Sequence, residues 1–313
     1  MINVTLKQFR YFDALARFGH FGRAAEACAI SQPALSAQIK ELEAMLGAPL
    51  VERTARKIHL TTLGEDFLQR ARKILADVEE MSELARSAEG PLKGALRIGV
   101  IPTIAPYLLP TIIKRLSGHL PDLDLLPRES ITQSLIADLL ESRLDFVVAA
   151  LPISEPALRE FALFDEEFVL VRPIKDAQKP VPSPSKLQEM KLLLLEEGHC
   201  FRDQALSFCE MRPSDPSLVM EGSSLATLVQ MVDAGLGVTV IPEMAVPLET
   251  KAAGLDVARF ARNQPKRTIG MVWRKTSPLS KQFMEIGAVI RQASQTRQIP
   301  EASPDRPLPR APR

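Results

Sequence analysis

Cysteine is scarce in this chain: three residues in 313, at positions 28, 200 and 209. So thin a supply excludes a disulfide framework of the kind that staples small secreted domains. Long apolar runs are lacking as well. None approaches the roughly 20 residues that a membrane-spanning helix requires. The opening "MINVTLKQFRYF" carries charge and lacks an apolar signal core, so no secretory leader and a cytoplasmic location are expected. Thiols stay reduced in that compartment, and a disulfide formed there is transient and functional. An excess of one charge is absent too, with 39 Lys+Arg against 38 Asp+Glu. The balance is local rather than uniform. Residues 1–62 hold eight Lys/Arg and five Asp/Glu, whereas residues 63–90 hold four and seven. A mildly basic module beside an acidic helix is compatible with DNA binding.

What is present suits a soluble chain of at least two domains: 46% hydrophobic and 25% charged residues over 313 positions. The first 60 residues read as short helices. "TLKQFRYFDALARFG" repeats Leu6, Phe9, Phe12, Leu15 and Phe18 at helical spacing, and Gly19 stops it. "GRAAEACAI" follows, with Cys28 expected as a packed core residue. In "SQPALSAQIKELEAMLG", Ser31 is the expected N-cap, Pro33 lies in the first turn and Gly47 closes the helix. "PLVERTARKIHLT" reads as a small hairpin. From Thr62 to Ala88 the chain runs without proline, and Leu63, Phe67, Leu68, Ala71, Ile74, Leu75, Val78, Met81 and Leu84 form an apolar stripe. A helix this long and narrow-faced packs against a copy of itself or a partner. "EGPLKG" reads as a hinge.

Beyond it, strands at 95–101, 123–127 and 145–151 alternate with helices near 105–118 and 132–143. "FALFDEEFVLVRP" is the expected crossing into a second lobe. There "KLLLLE", "SLVME", "GVTVI" and "LDVARF" alternate with helices at 201–210 and 223–234. A strand at 267–275 and a helix in "LSKQFMEIGAVIRQAS" complete the pattern. Strands alternating with helices predict parallel sheets, in two α/β lobes with a cleft between them. The last residues, "PEASPDRPLPRAPR", have five prolines and are expected to be disordered.

Residues 21–40 fit a helix-turn-helix, whose second helix enters the major groove. Its exposed face carries Gln32, Ser36 and Lys40. Gln reads adenine edges, Ser bonds to several edges, and Lys40 suits phosphate. Arg53, Arg56 and Lys57 in "ERTARK" sit on the hairpin, suited to backbone or minor-groove contact. The plainer alternative is a small helical domain with solvated faces.

The segment "GHCFRDQALSFC" (198–209) sets Cys200 and Cys209 nine positions apart. As a helix, that spacing turns about 900° and rises about 13 Å, so the two face opposite ways. A disulfide needs Cα atoms within roughly 7 Å, so the helical form cannot be bridged. Joining the pair must unwind or refold the segment, which ties thiol chemistry to backbone shape. Cys200 stands where the helix starts, near His199 and Arg202, and such surroundings favour a thiolate. Cys209 lies among apolar residues and suits a buried partner that condenses with a sulfenic acid at Cys200. Two small core residues without redox function is the alternative on spacing alone. Zinc is disfavoured, because the spacing matches no ligand pattern and only His199 is near. No metal and no cofactor is expected.

"RAAEACAISQPALSAQIKELEAMLGAPLVERTARKIHLTTLG" resembles the winged helix-turn-helix of LysR-type transcriptional regulators, and the order of parts matches that family to about residue 298. The resemblance implies a winged helix-turn-helix at 1–61, a linker and dimerisation helix at 62–90, and a two-lobed, periplasmic-binding-protein-like α/β effector domain at 95–298. Lobe I then covers about 95–165 and 268–298, lobe II about 166–267, and a Pro-rich tail 299–313. It implies double-stranded operator DNA and RNA polymerase as partners, a tetramer built as a dimer of dimers, and DNA contacts from Ser31, Gln32, Pro33, Ser36, Lys40, Arg53, Arg56 and Lys57. "GHCFRDQALSFC", "IPTIAPYLLP" (101–110), "LFDE" (163–166), "AGLGVTVIPEMAVP" (234–247) and "KRTIG" (266–270) are similar to the peroxide-sensing members of the family. By that resemblance Cys200 is the peroxidatic thiol and Cys209 the resolving one. Thr103, Thr132, His199 and Asp203 attend the peroxide, and Arg267 supplies positive charge near the thiolate. From the residues alone, Thr103 and Thr132 serve equally well as helix caps. The expected function is a hydrogen-peroxide-sensing, non-enzymatic transcriptional activator. The alternatives are a LysR-type regulator of a small organic effector and a thiol peroxidase.

Overall fold

A computed structural model describes residues 4–53, 58–88, 92–187, 189–209, 219–251, 254–260 and 264–295. Helix α1 (Leu6–Phe18) begins at Thr5, whose hydroxyl accepts from Gln8 N while the Gln8 side chain reaches back to Thr5 N. This reciprocal pairing satisfies two otherwise unpaired donors. Gly19, at φ 60°, ends the helix, a conformation that costs glycine little. Helix α2 (Phe21–Ala27) and α3 (Gln32–Leu46) follow, then a hairpin of β1 (Val51–Arg53) and β2 (Ile58–Leu60). Phe12, Leu15, Leu35, Ile39, Leu42 and Leu50 form their shared core. Cys28 is not part of it. It is half-buried at the end of α2, where the preceding helix turn has run out, so the expectation of a packed core thiol is corrected. Helix α4 (Thr62–Ala88) has the length that its proline-free sequence predicts.

The remaining elements are β3 (Gly94–Val100), α5 (Ala105–His119), β4 (Leu123–Glu129), α6 (Thr132–Leu140), β5 (Phe146–Leu151), β6 (Leu158–Pro173), α7 (Pro184–Leu187) and β7 (Leu192–Leu195). They continue with α8 (Cys200–Phe208), β8 (Val219–Gly222), α9 (Leu225–Asp233), β9 (Val238–Pro242), α10 (Val246–Glu249), β10 (Leu255–Ala258), β11 (Lys266–Arg274) and α11 (Ser280–Gln295). Parts of the expected hinge (89–91), of the strand near 217–221, and the whole Pro-rich tail lie outside the described residues.

The expectation of parallel sheets is corrected. Strand order is β4-β3-β5-β11-β6-β9-β7-β8, with β10 also on β6, and the pairings are mixed. The β3–β4, β3–β5, β7–β8 and β7–β9 pairs are parallel, as βαβ units require. The β11–β5, β11–β6, β6–β9 and β10–β6 pairs are antiparallel. The reason is the crossing itself. Strand β6 carries the chain from the first lobe into the second and β11 brings it back, so the two run side by side in opposite directions.

Each lobe has its own core. One centres on Phe146, Trp273 and Phe283, the other on Phe168, β7, Val229 and Ile241. Tyr107 of α5 packs with the second, so α5 touches both. A register shift in the β11–β6 pair falls at Ile269/Gly270. A Cβ on Gly270 would lie 2.4 Å from Leu151 Cδ1 and 2.9 Å from the Phe161 carbonyl. Gly270→Ala is therefore expected to lower stability by about 1–3 kcal/mol through overpacking. Thermal unfolding measures this, and an unchanged Tm would mean that the bulge relaxes freely.

Candidate functional site

The buried run β7 delivers the chain to Gly198, at φ 94°, which allows the turn into α8. His199 is the N-cap but makes no side-chain cap bond. Cys200 is the first residue of α8, half-buried, and packs against the core of the first lobe. Cys209 is the C-cap at the other end, fully buried in the core of the second lobe. Helix α8 thus has one sulfur against each lobe, separated by about 13 Å of helix rise. The two sulfurs are not joined by a disulfide. Burial pushes the Cys209 thiol up to about 12, so it stays protonated at neutral pH.

Thr103 precedes α5 and is buried. Its hydroxyl accepts from Arg267 Nη1 at 2.8 Å, and its carbonyl accepts from Nη2 at 3.1 Å. Arg267 is itself buried and paired to Glu166 at 2.7 Å, its partner across the β11–β6 ladder. Glu166 also accepts from Met244 N in the second lobe, at 3.3 Å. Burial raises the Glu166 pKa, while Arg267 works against that shift. The Arg267 guanidinium lies 5.3 Å from the centroid of Phe201, the residue after Cys200.

His199 and Thr103 line one cavity of about 130 Å³ between the lobes, with Tyr107, Glu129, Ser224 and Glu249. Burial lowers the His199 pKa, with Glu196 and Glu129 opposing, so the imidazole is neutral at pH 7. The Tyr107 hydroxyl donates to Glu249 at 2.8 Å, and burial foremost raises its pKa. Thr132 opens α6, and its buried hydroxyl has no hydrogen-bond partner among the described residues. The capping alternative does not hold for either threonine. The caps are Ile104 and Ile131, and neither makes a side-chain cap bond. Helix α6 still reaches the thiol segment, because Ile131 Cδ1 would lie 3.2 Å from a Cβ on Gly198.

Two further residues expected near the thiol lie on the first turn of α8 with it. Asp203 is exposed and lines a separate open groove of about 450 Å³ with Gln204, Ser207, Phe208 and Lys266. Arg202 turns inward, donating to the Leu195 carbonyl at 2.8 Å and pairing with Glu221 at 2.7 Å, so its charge is committed there. Among the described residues no group of three or more His, Cys, Asp or Glu side chains could hold a metal ion. No described helix is long and apolar enough to cross a membrane.

On the N-terminal domain Ser31 caps α3, accepting from Ala34 N. Gln32, Pro33 and Lys40 are exposed and Ser36 is half-buried. Arg53 ends β1, opposite Ile58. Its side chain, and all of Arg56 and Lys57, lie outside the described residues. His20 caps α2 through Nδ1, which accepts from Gly22 N at 3.0 Å. Sequence reading missed it, because a histidine is an uncommon cap. Glu43 accepts from Leu50 N and Val51 N at 2.8 and 3.1 Å, fastening the hairpin to α3.

A charged cluster joins the domains. Asp13 of α1 pairs with Arg72 of α4 at 2.6 Å and with Arg143 at 3.1 Å. Arg143 follows α6 and also pairs with Asp138 and Glu141, and Glu141 pairs with Arg72 at 2.7 Å. Arg274 of β11 donates to the α6 carbonyl of Leu139 and pairs with buried Glu83 of α4. None of these partners was singled out from sequence; apart from Asp138 and Glu141, which sit close before Arg143, the paired charges are 59 to 191 positions apart and give no local signal. Glu166 was legible in principle, because strand alternation from buried Phe168 points it inward.

Removing one partner of the buried pair leaves a charge uncompensated. Glu166→Ala is expected to cost about 3–5 kcal/mol in denaturant unfolding. Glu166→Leu with Arg267→Met together should cost less than either alone. A mild single-variant effect would mean that water replaces the carboxylate.

Two family descriptions match the chain. "Bacterial regulatory helix-turn-helix protein, lysR family" covers residues 6–65, and "LysR substrate binding domain" covers residues 89–295. A "Probable hydrogen peroxide-inducible genes activator" of Streptomyces viridosporus is 42% identical over 92% of this chain and 94% of that protein. The Escherichia coli K12 "DNA-binding transcriptional dual regulator OxyR" is 40% identical over 92% and 95%. Among solved structures, a full-length OxyR cysteine variant from Pseudomonas aeruginosa is similar at 37% identity and a TM-score of 0.72, covering 92% of this chain and 95% of that one. A hydrogen-peroxide-bound OxyR cysteine variant from Corynebacterium glutamicum is similar at 37% identity and a TM-score of 0.64, covering 93% of each. On the winged helix-turn-helix, the two-lobed sheet and these similarities together, the chain belongs to the LysR family of DNA-binding regulators, and within it to the OxyR group.

Proposed function

We propose that this protein is a hydrogen-peroxide-sensing transcriptional activator, switched by oxidation of Cys200 and its joining to Cys209. The observation that carries the reading is the size of the cavity that His199 and Thr103 line. At about 130 Å³ it is well below the roughly 300–1,000 Å³ of organic-ligand pockets, and it suits a molecule the size of peroxide. The small-organic-effector reading lacks that room in this cavity, and the larger groove beside Asp203 is an open one.

The Cys200 thiolate attacks one peroxide oxygen, the O–O bond breaks, and the departing hydroxide takes a proton to leave as water. Cys200 is then a sulfenic acid. Once it leaves its buried setting, Cys209 gives up its thiol proton and attacks that sulfur, the S–O bond breaks, and the departing hydroxide takes a proton to leave as a second water as the disulfide forms. Two thiols have given two electrons to one peroxide. Thr103, Thr132 and neutral His199 hold the peroxide and its water, and the unpartnered Thr132 hydroxyl is available for that bond. Arg267 contributes charge beneath Phe201, already shared with Glu166. Asp203, one turn along α8 from Cys200, attends the peroxide with Thr103, Thr132 and His199.

Ser31, Gln32, Pro33, Ser36 and Lys40, with Arg53, Arg56 and Lys57 of the hairpin, contact operator DNA in the cytoplasm. Met81 and Leu84 of α4 are 71% and 61% exposed, and Ile74 is exposed beside them, an apolar stripe fitted to a second copy. Dimers pair into a tetramer on an extended site and engage RNA polymerase.

Footprinting on an operator tests the reading. Peroxide is expected to shift the wild-type footprint, and Cys200→Ser to abolish the shift. A metabolite that moves the footprint while peroxide does not would establish the effector reading instead. In proton NMR, the His199 ring should titrate below the ordinary value of about 6.5. The unfolded chain then binds that proton more readily, so this group lowers stability as pH falls through that range and is neutral above it. A midpoint at or above the ordinary value would contradict it.

A further inference from the structure

Helix α8 is held by an aromatic pair at each end. Phe201 meets Phe168 at 4.9 Å and 70°, and Phe208 meets Phe260 at 4.9 Å and 66°. The two ends differ otherwise. At the C-terminal end Cys209 is fully enclosed in a core. At the N-terminal end Cys200 is only half-buried, and His199 gives the helix no side-chain cap. Two side chains restrain that end: Arg202, bonded to the Leu195 carbonyl and Glu221, and Phe201. Phe201 is 2% exposed, and the Arg267 guanidinium lies over its ring, held in place by Glu166 and Thr103.

Bridging the cysteines must shorten a separation of about 13 Å to a Cα distance within roughly 7 Å, so one end of α8 has to come away. We propose that Phe201 is the positioning residue of the switch: its ring, seated between Arg267 and Phe168, keeps Cys200 against the core of the first lobe, and its release lets Cys200 reach Cys209. The residue acts through Cys200 rather than on the oxidant. It sets how readily the disulfide forms, apart from how fast the thiol meets peroxide. The proposal rests on the pairing of Cys200 with Cys209 described above.

The test uses the full chain in buffers of reduced and oxidised glutathione. There the two thiols pass two electrons and two protons to glutathione disulfide, forming the protein disulfide and two glutathione thiols. Phe201→Leu keeps an apolar group in the site but loses the ring contacts. It is expected to shift the thiol–disulfide equilibrium toward the disulfide by about tenfold, the scale of a lost aromatic pair with its cation contact. Phe201→Tyr should return the equilibrium toward wild type. Phe208→Leu, at the far end, should shift it less. A second readout is the rate of disulfide formation divided by the rate of sulfenic acid formation, the latter trapped by a dione in Cys209→Ser; this ratio should rise with Phe201→Leu. An unchanged equilibrium in Phe201→Leu, or an equal or larger shift in Phe208→Leu, overturns the proposal. Because the glutathione measurement needs no peroxide, it stands apart from peroxide sensing. Absence of sulfenic acid in peroxide-treated Cys209→Ser would defeat the peroxide reading while leaving the Phe201 result readable.

Discussion

A buried guanidinium–carboxylate pair, Arg267 with Glu166, sits where the two lobes cross, and the geometry around the thiol hangs on it. The two residues are cross-strand neighbours on the strands that carry the chain out and back. Arg267 extends to Thr103 before α5, and Glu166 extends to Met244 in the second lobe. One pair therefore joins Thr103 of the cavity wall, the second-lobe segment at Met244 and the ring of the residue after Cys200. Desolvating two charges is expensive, and the surrounding hydrogen bonds offset the cost. Such a site tolerates little displacement, which suits a thiol that must meet a small oxidant in one orientation.

The pair also explains why Arg267 is not a loose counter-charge. Its guanidinium is already partnered, so its electrostatic effect at Cys200 comes through a neutralised unit. The positive end of the α8 dipole remains, and Cys200 occupies the position where it acts. Cys209, raised by burial, is the opposite kind of thiol. Two environments on one helix thus separate a half-buried thiol at the helix start from a fully enclosed, protonated one.

Much of this was legible in the sequence because the signals were local. Periodicity gave α4 its span, Ser31 and Gly47 framed α3, and nine positions between Cys200 and Cys209 implied separation in space. The strand directions were not legible. Alternating strands and helices look alike whether the chain stays in one lobe or crosses between two, and only the β6–β11 pairing settles it. The partners of Arg202 were not legible for a related reason. Nearness in sequence puts a residue on the same helix, and the face it takes depends on what the rest of the fold offers. Arg202 found the Leu195 carbonyl and Glu221, partners on neighbouring strands.

Helix α6 has nine residues, a rod of about 13 Å. Its first residues stand against Gly198, just before the reactive thiol. Its far end enters the cluster where Asp13 serves both Arg72 and Arg143. Besides the buried pair of Glu83 in α4 with Arg274, the first lobe and the DNA-binding domain thus meet at Asp13 through partly exposed charges rather than through either apolar core. Salt screens such contacts and leaves apolar packing nearly untouched. Ionic strength therefore reaches the joint between reading and response while sparing the two parts that it connects.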